Sequence, residues 1–327
     1  MILAFTEHVD GAPTALALEA LTMAHRLAEE MDTPLESLVV GPAGATAAGI
    51  LASYGVTTLH VADDPRLDVY APAAWGQTLV ELVEESAPAL VIGTASDRGS
   101  EVMAHAAARL RLALAANCIE ITPGDPLLVT RQRWGGSLLE EARLKGEVKL
   151  ITIAPHALTA EPLAARTDVT TRTWKPVLPE KDFRVRLRPE VQADTGKVSL
   201  AQARVVVGGG RGVGSSAGFV SLEELAGYLG GAVGCSRAVT SLGWRPHSDQ
   251  VGQTGTRIAP ELYIACGISG AIQHMVGCRA AKHILAINTD ANAPIVAQAD
   301  YAVIGDVQKV LAAVNAEVRK VKALPVG

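Results

Sequence analysis

Short apolar runs alternate with helical patterns twice along this chain, and that alternation is what most narrows the folds open to it. Up to Ile119, the runs Ile2–Phe5, Leu38–Val40, Thr58–Val61 and Leu90–Ile92 read as strands. Between them lie helical segments. In Thr14–Met31 the residues Leu16, Ala20, Met23, Leu27 and Met31 share one face, and Ala43–Ser53, Tyr70–Ser86 and Gly99–Leu112 follow the same logic. Such alternation builds a mostly parallel, nucleotide-binding-like α/β sheet with helices on both faces. Beyond Ile119 the rhythm changes. Leu127–Arg133, Ser137–Arg143 and Val148–Ile153 read as consecutive strands, predicting an antiparallel extension of the sheet.

From about residue 155 to 200 the chain is charged, proline-bearing and weakly periodic, which predicts a linker between domains. A second alternation begins at Ala203, with strands expected at Arg204–Val207, Ala232–Cys235, Leu262–Cys266, Ile284–Ile287 and Tyr301–Ile304. Ser221 and Glu224 have the spacing of a capping box for its first helix. The last helix, from about Asp306, carries Val307, Val310, Leu311, Val314 and Val318 at helical intervals. The expected organisation is an N-terminal α/β domain over 1–190 and a doubly wound, five-stranded parallel-sheet domain over 200–327. Ligands of such sheets bind at the carboxyl ends of the strands, beside a topological switch point.

Composition removes several function classes. The 327 residues carry a net charge of −5 with 4% aromatics, so neither a phosphate-binding basic face nor base-stacking platforms are expected, and no nucleic-acid partner. No apolar run reaches the roughly 18–20 residues of a membrane span, and the N-terminus lacks the pattern of a signal peptide. A cytoplasmic protein with no direct membrane insertion is the expectation. Cys118, Cys235, Cys266 and Cys278 lie far apart with no CxxC pair, so they read as buried thiols rather than metal ligands.

Four stretches follow strands of the second alternation. In "VVVGGGRGVGSSAG" the glycines let the backbone approach a ligand, and Gly212, Gly214 and Ala217 match a dinucleotide fingerprint. The next strand ends in Cys235-Ser236-Arg237, with no acidic residue for a nicotinamide ribose. Arg211, Ser236 and Arg237 suit phosphate or another electron-rich group, against the alternative of a solvated turn. In "QVGQTG", Gln253 and Thr254 read either as donors to a planar heterocycle or as a surface turn. In "GISGAIQHM", Ser269 is placed as an N-cap, and His274 reads either as a core histidine or as a ligand. Asn288 ends one strand and Asp306 follows the next, each a site residue or a cap. No nucleophile–base set, carboxylate pair or metal cluster appears, so a bound cofactor is expected to supply the chemistry.

These residues resemble a known family. "GGRGVGS", "SRAV…GW", "QVGQTGTRIAPELYIACGISGAIQHM" and "AINTDANAPIVAQADYAVIGD" are similar to the C-terminal domain of the electron transfer flavoprotein alpha subunit, nearly without gaps from about Val205 to Ala312. "MILAFTEH" and "RQRWGGSLLEEARLK" carry a weaker likeness in the N-terminal half. The resemblance implies a heterodimer with a beta subunit that packs on the N-terminal domain, one FAD held by the C-terminal domain, and AMP in the beta subunit. It implies an electron carrier rather than an enzyme. Donors would be dehydrogenases, such as the acyl-CoA dehydrogenases of fatty acid beta-oxidation, and the acceptor a quinone oxidoreductase. The FAD domain, tethered by the linker, would reorient toward each partner.

Carried over by position, Arg211 and Ser236 would meet the FAD pyrophosphate and Arg237 the isoalloxazine. Val251, Gly252, Gln253 and Thr254 would line the flavin, with Thr254 near N5 and Gln253 near the adjacent carbonyl. Ser269, Gly270, Ala271, Ile272 and Gln273 would hold the pyrophosphate and ribityl chain, and His274 would face the N1/C2 edge. Asn288 and Asp306 would serve the adenosine end, and Val307 joins the same cofactor-binding set. Gly214 stands where many members carry Lys, Ser241 where many carry Asp, and Cys266 where Val or Ala is usual. Two alternatives remain beside the simple carrier: a subunit of an electron-bifurcating complex, and an NAD-dependent dehydrogenase.

Overall fold

The computed structural model describes residues 1–136, 138–187, 200–201 and 203–323. The chain forms two compact units, Met1–Glu190 and Val191–Gly327.

In the first unit, the strands of the main sheet are β1 (Ile2–Phe5), β2 (Leu35–Val40), β3 (Val56–Ala62), β4 (Leu90–Thr94), β5 (Leu114–Thr122), β6 (Leu127–Arg133), β7 (Leu138–Leu144), β8 (Lys149–Ile153) and β9 (Thr170–Trp174). They form one sheet in the order β9-β3-β2-β1-β4-β8-β5-β6-β7. The principal helices are α1 (Ala15–Glu30), α2 (Pro72–Ser86) and α3 (Asp97–Leu110). β1 is buried at all four positions, because a central parallel strand is covered on both faces. Two apolar clusters, one containing Ile2 and Ala4 and the other Leu3 and Phe5, account for both coverings. The Thr14 hydroxyl accepts from Ala17 N–H at 3.2 Å and starts α1.

Three expectations change here. Leu114–Thr122 is a strand that the sequence pattern did not announce, its burial being irregular along its length. Lys149–Ile153 is not part of an antiparallel extension: it lies parallel to, and between, β4 and β5. Its four consecutive buried residues, Leu150 to Ile153, are the mark of a strand covered on both faces. The antiparallel extension consists of β6, paired with β5, and β7, paired with β6; Ser137, expected to open the second of these strands, lies outside the described residues. The Ala43–Ser53 helix resolves into short 3₁₀ turns around a single α turn, Ala48–Leu51.

The expected 155–200 linker is also corrected. Thr170–Trp174 pairs with β3 at the sheet edge, exposed at four of its five positions, which is why it shows no apolar period. Further on, Phe183 is buried and Asp182 forms a two-pronged ion pair with Arg109, both contacts at 2.9 Å. Through residue 187 the segment is therefore part of the first unit's architecture, and 188–199 lies outside the described residues.

In the second unit, β10 (Val205–Gly209), β11 (Ala232–Cys235), β12 (Leu262–Cys266), β13 (His283–Asn288) and β14 (Tyr301–Ile304) form an all-parallel sheet in the order β11-β10-β12-β13-β14. The order reverses between β10 and β12, which makes that boundary the switch point. Its helices are α4 (Phe219–Leu229), α5 (Arg237–Ser241), α6 (Ile272–Cys278), α7 (Pro294–Ala297) and α8 (Val307–Ala323). The capping box is not used. α4 starts three residues early with Gly218 at the cap, so Ser221 sits within the helix and bonds Gln308, while Glu224 pairs with Arg319. Among the described residues, no helix is long and apolar enough to cross a membrane.

Candidate functional site

At the switch point two loops touch through bare backbone. Gly210 N–H donates to the Cys266 carbonyl at 2.8 Å, and Gly212 N–H to the Gly267 carbonyl at 3.1 Å. A Cβ on Gly210 would stand 2.1 Å from the Gly267 oxygen, and one on Gly267, at φ +62°, 2.5 Å from Gly212 Cα. Only glycine at these positions lets the loops after β10 and β12 close on each other.

Beside this contact opens a cavity of about 640 Å³, in the usual range for a small-molecule site. Loops following four strands line it. Of the residues expected from the sequence, Arg211, Ser236, Arg237, Val251, Gly252, Gln253, Thr254, Ser269, Ala271, Gln273, His274 and Asn288 are at its wall. Four are not among the lining residues. Gly270, at φ +81°, packs where a Cβ would meet Ile295 N at 2.4 Å, so its role is the turn. Ile272 is 67% exposed. Asp306 caps α8, its Oδ1 accepting from Lys309 N–H at 3.0 Å, and Val307 is buried in the core beneath that helix. Ser269 does not cap α6, which begins at Ile272 with Ala271 at the cap; its carbonyl accepts from Ile295 N–H instead.

The cavity is also lined by residues outside the expected cofactor-binding set: Gly210, Gly212, Gly267 and Ile268 at the switch point, Ala238 and Ser241 on α5, Gln250, Asp290 and Ala293. The signal for Gln250 was present, since it opens the QVGQTG string. Its burial was not legible. Gln250 is 2% exposed; its Oε1 accepts from Thr240 Oγ1 at 2.8 Å, and its Nε2 donates to Thr254 Oγ1 at 3.0 Å. Asn288 is likewise committed, donating to the Ile268 carbonyl at 2.8 Å and accepting from Asp290 N–H at 3.1 Å. It ties the β13 loop to the β12 loop.

The 250–256 loop is pinned to α6. Gln253 N–H donates to the Gln273 carbonyl at 2.7 Å, and Thr256 N–H returns to the Gln250 carbonyl at 2.7 Å. Gly277 on α6 packs on Gly252: a Cβ there would be 2.3 Å from Gly252 N. The loop therefore presents Gln253 and Thr254 from a fixed base. A second depression of about 390 Å³ shares Arg237, Ser241, Gln250 and Thr254 with the main cavity and adds Thr240 and His247.

The electrostatics of the wall are uneven. Among the described residues neither Arg211 nor Arg237 has a carboxylate partner, so both guanidinium groups remain available to an anionic or electron-rich ligand. His274 is 7% exposed, and its Nε2 lies 2.8 Å from the Tyr263 hydroxyl. Burial pushes its pKa down to about 4, with the Val251 backbone opposing, so the imidazole is neutral near pH 7. Among the described residues its Nδ1 has no partner in full hydrogen-bond geometry, beyond that weaker pull of Val251. Cys235, Cys266 and Cys278 are buried and remain thiols, their pKa values pushed up to about 12 by burial. Two cations and a buried ring nitrogen without bonded partners among the described residues, with a bare glycine cradle, fit an extended ligand with phosphates at one end and a heteroaromatic at the other.

Comparison with known proteins gives this arrangement a class. Residues 199–279 match the electron transfer flavoprotein FAD-binding domain, and residues 2–176 the electron transfer flavoprotein domain. The electron transfer flavoprotein subunit alpha of Thermoanaerobacterium thermosaccharolyticum is 34% identical over 97% of both chains. Protein FixB of Clostridium saccharobutylicum is 35% identical over 97% of this chain and 96% of its own. The Mycobacterium tuberculosis electron transfer flavoprotein subunit alpha is 37% identical over 94% and 95%. A solved thiamin diphosphate-dependent enzyme from Mycobacterium smegmatis overlays at a TM-score of 0.23 and 13% identity, covering 91% of this chain and 53% of that one, too little likeness to argue from. The fold and the site thus define a flavin-carrying electron-transfer protein. The chain belongs to the electron transfer flavoprotein alpha-subunit family, whose members work with a beta subunit.

Proposed function

We propose that the switch-point cavity holds one FAD per heterodimer and that the chain carries electrons from flavin dehydrogenases, such as acyl-CoA dehydrogenases, to a quinone oxidoreductase. The observation that supports this most is the convergence of loops from four strands on one cavity whose two arginines lack carboxylate partners among the described residues. AMP in the beta subunit and a cytoplasmic setting belong to the same reading.

The flavin supplies the one-electron chemistry when bound; the chain's residues hold it and set its surroundings. Arg211 and Ser236 would take the pyrophosphate. Ala271 and Gln273 would follow the linking chain, with Ser269 beside them. Arg237 contributes a permanent positive charge, which favours the reduced, more negative form and raises the potential. Thr254 is already an acceptor for the Gln250 amide, so its own proton is available to the cavity. Val251 and Gly252 shape the wall, and Gln253 offers an amide from a pinned loop. Asn288 fixes the far loop from within, leaving Asp290 as the carboxylate on that side.

Co-expression with the beta subunit tests the proposal. A yellow heterodimer with one FAD per pair, reducible by an acyl-CoA dehydrogenase with its substrate, is the expected result. A colourless complex that takes up no FAD overturns it. Two FAD per pair would move the chain to the bifurcating alternative.

A further inference from the structure

Tyr263 lies on β12, fully buried, beneath Gly208 of β10, where a Cβ would stand 2.3 Å from its hydroxyl. A phenol in such a place must give its proton to something, because an orphaned donor in the interior is costly. Among the described residues, the one hydrogen-bond partner of that hydroxyl is His274 Nε2, at 2.8 Å. The two rings lie nearly parallel, 30° apart. The thiols of Cys235, Cys266 and Cys278 lie close enough to act on it electrostatically, and sulfur is a weak acceptor.

Two proton arrangements are open to the pair. In one, Nε2–H donates to the phenolic oxygen, and the phenol proton has no acceptor. In the other, the phenol donates to a bare Nε2, and the ring proton sits on Nδ1. The second leaves nothing orphaned at Tyr263. It does leave Nδ1–H with no partner in hydrogen-bond geometry among the described residues, only the weaker pull of the Val251 backbone, on a side chain that lines the cavity. A donor left over at the wall of a binding cavity is completed by what binds there, whereas a donor left over inside the sheet is not.

We propose that Tyr263 is a positioning residue for His274: its buried hydroxyl donates to Nε2, fixes the imidazole as the neutral Nδ1–H tautomer, and so makes His274 a hydrogen-bond donor to the cavity rather than a cation. The assignment of that donor to a flavin rests on the function proposed above; the tautomer itself does not. Charge at the cavity then comes from the arginines, and His274 contributes direction. The low pKa of His274 agrees with this division.

The test is NMR of the heterodimer labelled with ¹⁵N in the histidine rings, with His274→Gln identifying the signal. The expected wild-type pattern is a protonated Nδ1 and a bare Nε2, with a hydroxyl proton correlated to Nε2. In Tyr263→Phe the preference for Nδ1–H should fall by about tenfold or more, the ratio carried by one hydrogen bond. A protonated Nε2 in the wild type overturns the proposal, and so does a Tyr263→Phe spectrum with the tautomer unchanged. The wild-type correlation decides the donor by itself, so the result does not depend on the variant folding. FAD content of the same samples judges the flavin reading separately: a colourless heterodimer removes that reading, while the ring nitrogens still report the tautomer.

Discussion

Gln250 Nε2 donates to Thr254 Oγ1 at 3.0 Å, while the other arm of the same amide accepts from Thr240 Oγ1 at 2.8 Å. Gln250 thus decides which way the Thr254 proton is free to point. In Gln250→Glu the carboxylate accepts only, so Thr254 must donate back to it and is lost as a donor to the cavity. The flavin midpoint potential should fall by about 40 mV or more, the equivalent of one hydrogen bond of roughly 1 kcal/mol. Potentiometric titration of wild type and variant at equal FAD content checks this. An unchanged potential would mean that Thr254 does not donate to the flavin.

Gly277 tests the seat of the same loop. Its missing Cβ is what lets α6 lie against Gly252, and the atoms it would meet, at 2.3–3.0 Å, are all backbone. Gly277→Ala therefore cannot be relieved by a rotamer change. Overpacking of this kind costs about 1–3 kcal/mol. The variant should show a lower thermal midpoint and a reduced FAD-to-protein ratio, measured by calorimetry and absorbance. A fully loaded variant of wild-type stability would remove the loop's seating from the binding argument.

Much of this is legible in the sequence. The second sheet announced itself through five short apolar runs, and the residues that reach the cavity mostly follow those runs, where a parallel sheet presents its loops. What stayed hidden had physical reasons. Thr170–Trp174 is an exposed edge strand, and nothing in four polar residues closed by one Trp distinguishes it from a linker. Lys149–Ile153 inserts between two strands earlier in the chain, a long-range choice that no local period encodes. Ser221 and Ser269 looked like caps because capping residues are common there, but the helices began where packing allowed, at Phe219 and Ile272. Gln250 resembled any loop glutamine until its burial was known.

Arg237 supplies fixed charge, so its variants should separate charge from shape. Arg237→Ala should lower the midpoint potential by about 40–130 mV, corresponding to roughly 1–3 kcal/mol of charge interaction across a partly solvated cavity. Arg237→Lys should recover part of that loss. The comparison is made by redox titration at two salt concentrations, and equal potentials in all three proteins would take Arg237 out of the flavin's surroundings.

In the first unit, Glu7 provides a stability probe away from the cavity. It is 6% exposed, and its Oε1 accepts from Ser96 Oγ at 2.6 Å and from Thr94 Oγ1. Burial raises its pKa above the usual 4.5, the two hydroxyls opposing. The folded state therefore binds this proton more readily than the unfolded state, and stability falls as pH rises from about 4.5 through the folded value. Glu7→Gln keeps the accepting oxygen and removes the charge. It should stabilise by about 1 kcal/mol at pH 7.5 and leave stability unchanged at pH 4, read from urea midpoints. A variant weaker than wild type at pH 7.5 would show that the ionised form is the favoured one.

His274 should give a pH dependence of the opposite sign. Its folded pKa of about 4 lies below the ordinary 6.5, because burial disfavours the imidazolium. The unfolded chain takes up this proton first, so the contribution is fully present above about pH 6.5 and is lost as pH falls toward 4. A depression of this size corresponds to roughly 3 kcal/mol over the window. His274→Gln does not titrate there, so between pH 7.5 and 4.5 the wild type should lose about 2–3 kcal/mol more than the variant. Urea unfolding of both proteins across that range measures the difference. Parallel stability curves would mean that His274 is protonated as easily in the folded chain as in the unfolded one, and the neutral donor inferred from its pairing with Tyr263 would fall with them.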